Sequence, residues 1–132
     1  MSSRKTANMK TILLIEDNLS IRENTCELLE LEGYKVLCAS NGKTGLRLAK
    51  KELPDIILSD VAMPKMNGHE LFQELKKDPL TRDIPFVLLT SSVEKKVIQA
   101  ALLTGVNGYI GKPFEIDDLL QKVRYFLLDN NH

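Results

Sequence analysis

The stretch Asp55–Gly68, "DIILSDVAMPKMNG", organises the reading of the whole chain. Ile56–Ser59 is an apolar run of strand length that ends at a carboxylate, Asp60, and a loop rich in Met, Pro, Asn and Gly follows at once. A short run that is apolar without alternation fits a strand covered on both faces, as in parallel sheets. A carboxylate at the tip of such a strand is out of place in a core and well placed in a site.

Working outward, four further runs have the same character. They are "TILLI" (Thr11–Ile15), "KVLCA" (Lys35–Ala39), "PFVLL" (Pro85–Leu89) and the weaker "GYIG" (Gly108–Gly111). The segments between them place apolar residues at helical spacing: Ile21, Thr25, Leu28 and Leu29; Leu46 to Lys50; Leu71, Phe72 and Leu75; Val93, Val97, Ala100 and Ala101; Leu119, Val123, Phe126 and Leu127. Gly33 stands where a helix C-terminal cap is expected, and Ser91 with Glu94 forms an S-x-x-E capping box for the fourth helix. Strands alternating with helices indicate an α/β fold, a doubly wound (βα)5 unit on a parallel sheet.

The chain has 132 residues, enough for a single domain of ordinary size, with residues 1–9 expected as a disordered head, 10–128 as the domain and 129–132 as a tail. Lys+Arg and Asp+Glu both number 18, so no overall field draws the chain to nucleic acid or to an anionic membrane. The apolar runs fall far short of the roughly 20 residues of a membrane span. A cytoplasmic protein is expected. Its two cysteines, Cys26 and Cys38, lack a CxxC spacing, and reduced core thiols are the expectation.

Ligands of open parallel sheets bind beyond the carboxyl ends of the strands. Those ends carry Glu16-Asp17-Asn18, Asp60, Thr90-Ser91-Ser92 and Lys112-Pro113. Each residue has a plain structural alternative, such as Asp17 or Asn18 capping the first helix. Together they place three carboxylates against one ammonium, an excess of negative charge that a divalent cation cancels. Oxygen donors without Cys or His nearby select Mg2+, with Mn2+ as a substitute. An aspartate beside such an ion, with a lysine and a hydroxyl converging on it, is suited to accept a phosphoryl group.

These residues carry a resemblance to the receiver domain of bacterial two-component response regulators, the CheY-like family, over Met9 to Leu128. "LLIEDN" resembles its first strand and acidic pair, "DIILSDVAMPKMNG" its phosphoacceptor strand, "DIPFVLLTSS" its fourth strand with the hydroxyl, and "GYIGKPF" its fifth strand with Lys-Pro. The resemblance implies a flavodoxin-like sheet of order 2-1-3-4-5, with Asp60 as phosphoacceptor assisted by Lys112 and Thr90. It implies that Mg2+ is held by Asp17, Asp60, the backbone carbonyl of Ala62 and, mainly through water, Glu16. Thr90 and Tyr109 would be the switch pair, and the Lys112–Pro113 peptide would be cis. It further implies a phosphoryl donor that is a sensor histidine kinase or a histidine phosphotransfer protein. An effector would then bind the face of the fourth helix, fifth strand and fifth helix.

The sequence departs from the family pattern at Ser91, Val106 and Gly111 without losing a chemical group. Small residues at Ala62 and Ser92 lead us to expect a phosphorylated state that is not unusually long-lived. The expected role is a stand-alone switch that assists its own phosphorylation and dephosphorylation and is not otherwise an enzyme. The alternatives are a phosphorylation-independent scaffold, a receiver fragment of a longer regulator with an output domain, an aspartyl-phosphate hydrolase and a flavin-binding module. Ala62 stands where a hydrolase would want a second acid, and the Glu16-Asp17 pair has the wrong sign for cradling a flavin phosphate without metal.

Overall fold

The computed structural model describes residues 9–91, 99–100 and 102–129. Five strands form one parallel sheet: β1 (Thr11–Ile15), β2 (Lys35–Ala39), β3 (Ile56–Asp60), β4 (Phe86–Thr90) and β5 (Gly108–Gly111). Their order is β2-β1-β3-β4-β5. The helices are α1 (Leu19–Leu31), α2 (Gly42–Glu52) and α3 (Gly68–Lys76), then α4, described only at 99–100 and 102–103, and α5 (Ile116–Asp129). Val93, Val97 and Ala101 of the fourth helix, its Ser91–Glu94 capping box, Ser92, most of the head and the end of the tail lie outside the described residues. No helix among the described residues is long and apolar enough to cross a membrane.

Alternate residues of the central strands feed two cores. Ile12, Leu14, Ile56, Leu58, Val87 and Leu89 meet Leu29 of α1 and Leu119 and Val123 of α5. Leu13, Ile15, Ile57, Phe86 and Leu88 meet Ala49 of α2 and Leu71, Phe72 and Leu75 of α3. Full burial of such side chains contributes roughly 1.5–3 kcal/mol each, which fixes the strand register and with it the position of every strand tip. β2 differs from the uniformly apolar strand expected, because as an edge strand it is covered incompletely and only Ala39 is fully buried.

The helix caps follow local chemistry. The side chains of Asn18 and Asn41 accept from the amides of Ile21 and Thr44 at the starts of α1 and α2. Asn67 and Glu70 form a reciprocal capping box at α3. Gly33 follows α1 with φ +98°, a conformation that favours glycine at a helix end.

Two expectations are corrected. The buried face of α1 is Thr25, Cys26 and Leu29, while Ile21 is 38% exposed, because the first turn extends past the edge of the core. Cys26 and Cys38 are joined in a disulfide and are not reduced core thiols. The register that pairs Cys38 with Leu14 turns its side chain toward α1, where Cys26 lies on the inward face. Cys38 itself is exposed on the edge strand.

Candidate functional site

The apolar runs of β1, β3 and β4 end in register, so the groups that follow them meet at one edge of the sheet. Asp60 is the last residue of β3 and is only 4% exposed. Its backbone is held by the Ser59 hydroxyl, which donates to the Asp60 carbonyl at 2.9 Å. The loop beyond folds back where the Gly68 amide donates to the Val61 carbonyl at 2.8 Å. A β-carbon at Gly68 would strike the Asp60 carbonyl, so glycine is required for this close approach.

Lys112 closes the site from the other side. Its amide donates to the Thr90 carbonyl at 2.7 Å, and its ammonium lies 2.7 Å from Asp60 Oδ1 and 2.8 Å from Glu16 Oε1. The Lys112–Pro113 peptide is cis. Glu16, 1% exposed, lies beneath the cleft and also accepts from the Asn18 amide at 3.1 Å. Asp17 is exposed at the rim, and its amide donates to Asp60 Oδ2 at 3.3 Å. Because Asn18 and not Asp17 caps α1, the Asp17 carboxylate stays with the site.

Three carboxylates share one ammonium, and the electrostatics show the excess. Burial, reinforced by the neighbouring Glu16, pushes Asp60 up to about 7 in spite of Lys112. Burial also works against the charge on Glu16, yet hydrogen bonds with Asp60, Lys112 and the Asn18 amide outweigh it and lower its pKa. Burial works against the charge on Lys112 too, and its two carboxylate partners raise its pKa all the same. The pair as a whole thus resists full ionisation while only Lys112 is present, with burial and the neighbouring Glu16 holding Asp60 above its ordinary range.

Carboxylate oxygens of Glu16, Asp17 and Asp60 lie within 4.8 Å of one another, the spacing of an oxygen-ligated metal site. The donor set consists of hard oxygens, and it carries negative charge that Lys112 alone does not cancel. These residues therefore fit a hard divalent cation. A cleft of about 360 Å3, lined by Asp17, Asp60, Ala62, Thr90, Ser91 and Lys112, opens above them.

The structure brings together all the expected site residues except Tyr109. That residue points outward from β5 into a separate groove of about 750 Å3 that it shares with Leu102, Lys122 and Tyr125. Sequence spacing does not reveal the Lys112–Glu16 pair, because 96 residues separate its members. Nor does it reveal Arg22, whose guanidinium donates to the Glu16 carbonyl at 2.8 Å and ties the acidic loop to α1. Gly111 has open space where a β-carbon would stand, so packing does not demand glycine there.

Comparison with known proteins agrees with this arrangement. The chain matches the family model of the response regulator receiver domain over residues 12–124. It is 40% identical to Histidine kinase P4 of Formosa agariphila, over 89% of this chain and 8% of that protein. It is 36% identical to an uncharacterized 14.6 kDa protein of Leptolyngbya boryana, over 94% of this chain and 95% of that one. Among solved structures, chemotaxis response regulator CheY4 of Vibrio cholerae superposes with a TM-score of 0.85 at 30% identity, covering 89% of this chain and 98% of that one. Of the curated relatives, this chain thus spans 8% of one, 56% of another and 95% of a third.

Proposed function

The chain belongs to the response regulator receiver domain family, whose members are signalling switches of two-component systems, and from that premise we propose that it accepts a phosphoryl group on Asp60. The observation that carries this reading is the buried Asp60 carboxylate at a strand tip, held 2.7 Å from the Lys112 ammonium at the floor of an acidic cleft.

Receiver domains bind Mg2+ at an acidic pocket, and Asp17, Asp60 and the Ala62 carbonyl would hold it here, with Glu16 acting through water. When bound, the ion supplies positive charge against the oxygens of the transferring phosphoryl group. In the transfer, an Asp60 carboxylate oxygen forms a bond to phosphorus as the P–N bond to a donor phosphohistidine breaks. The imidazole of a sensor histidine kinase or phosphotransfer protein leaves with that electron pair. Lys112 already points at Asp60, so its charge is preorganised for the incoming oxygens. Thr90, on the cleft wall, would hydrogen-bond the phosphoryl group once it is attached. Ala62, exposed at the rim, leaves water a path to phosphorus, consistent with a switch that assists its own dephosphorylation.

The signal would leave through the outward groove at Tyr109. Phosphorylation turns the carboxylate into an acyl phosphate, a net gain of about one negative charge that brings three acceptor oxygens, which would draw Thr90 inward and let Tyr109 follow. An effector would then read the face made by α4, β5 and α5.

Intact mass after incubation with Mg2+ and acetyl phosphate tests the reading. One added phosphoryl group is expected on the wild type and none on Asp60→Asn or after chelation. An adduct of equal yield on Asp60→Asn would overturn it.

A further inference from the structure

We propose that Cys26 and Cys38 form a thiol–disulfide exchange site, attacked at Cys38 by a dithiol reductant, whose state sets how firmly α1 holds the acidic loop. The pair lies outside the cleft and has no part in the phosphoryl chemistry. It joins α1 to β2, an edge strand of the sheet.

The two sulfurs are unequal. Cys26 is 9% exposed and packs in the core beneath α1, whereas Cys38 is exposed on the open edge. Exchange requires an attacking thiolate to reach one sulfur, and exposed disulfides are the ones open to it. A thiolate of the dithiol therefore attacks Cys38 Sγ, and the S–S bond breaks with its electron pair going to Cys26 Sγ. The second thiolate of the reductant attacks the mixed disulfide and releases Cys38. The protein gains two electrons and two protons, and the dithiol becomes a disulfide.

The link to the acidic loop runs through α1. Asn18 caps the helix, and Arg22 donates to the Glu16 carbonyl at 2.8 Å, so the helix and the acidic pair are joined by hydrogen bonds. The disulfide sits one helical turn beyond Arg22 and fixes α1 against the sheet. Opening it leaves that part of the helix to the apolar packing of Leu29 in the core.

The test uses the full chain with no phosphodonor present, so its failure is distinct from failure of the phosphoacceptor reading. Native protein exposed to an oxidised dithiol is expected to be two hydrogens lighter than after reduction, and to take up alkylating reagent only after reduction. In single variants, Cys38 of Cys26→Ser is expected to alkylate at least tenfold faster than Cys26 of Cys38→Ser. Amide exchange in α1 and at Asp17 and Asn18 is expected to rise several-fold on reduction, with β3 and β4 unchanged. Two alkylatable thiols that persist under the oxidised dithiol would overturn the exchange site. Equal α1 exchange in both states would overturn the coupling.

Discussion

The Lys112 ammonium bridges two buried carboxylates, 2.7 Å from Asp60 Oδ1 and 2.8 Å from Glu16 Oε1, although 52 residues separate it from the first and 96 from the second. Replacing it with methionine leaves both acids without a cation. We expect Lys112→Met to lose about 2 kcal/mol in metal-free buffer at pH 8, less than a fully buried pair would lose, since Asp60 can take up a proton and the lysine is partly exposed. Urea unfolding at pH 8 and pH 5.5 checks this, and a loss that does not shrink at the lower pH would count against the bridge.

Asp60 gives a pH dependence of definite sign. Its folded pKa, about 7, lies above its ordinary value of 3.8, so the folded state holds the proton more tightly than the unfolded one. Stability contributed by this group is therefore full at low pH and declines as pH rises from about 4 to 7. Without metal, Asp60→Asn should be more stable than wild type by at most about 4 kcal/mol at pH 8.5, and the gap should close toward pH 4. Chemical denaturation across that range is the measurement. A constant gap would assign the effect to something other than ionisation.

Mg2+ should reverse this penalty. At a hundredfold excess over its dissociation constant a ligand specific for the folded state adds about 2.7 kcal/mol. We expect that order of stabilisation in wild type, its loss on chelation, and its absence in Asp17→Asn, whose rim carboxylate is gone. A thermal shift of Asp17→Asn equal to that of wild type would remove Asp17 from the metal site.

The cap of α3 offers a prediction away from the site. Asn67 accepts from the Glu70 amide at 2.8 Å, and Glu70 accepts from the Asn67 amide at 3.0 Å. Asn67→Ala should cost about 1 kcal/mol, and the same change in a Glu70→Ala background should cost less, because the two bonds form one motif. Additive losses in the double variant would refute the reciprocity.

What could be read from the sequence followed from local signals. β1, β2 and β5 were bounded by their apolar runs, and Asp60 stood out because a carboxylate ended such a run. β3 extends one residue beyond its apolar run, to Asp60, and β4 is shifted by one residue, from Pro85–Leu89 to Phe86–Thr90, since register with neighbouring strands and not polarity sets their ends. Contacts between distant segments were not legible. The Lys112–Glu16 bridge, the Arg22 tie and the Cys26–Cys38 bond each depend on which faces the folded sheet turns toward one another. Ile21 misled because helical spacing gives the apolar stripe without saying where the core beneath it stops.

Two glycines of β5 have opposite tolerance for change. At Gly108 a β-carbon would collide with the ring of Phe126, so a side chain at that position requires the ring to move. Three residues on, Gly111 faces empty space. The strand that presents Tyr109 is thus anchored at one end and adjustable at the other. Divergence among descendants of this chain would be confined at 108 and free at 111, beside Lys112, where an added side chain could retune the timing of the signal without touching a reacting group.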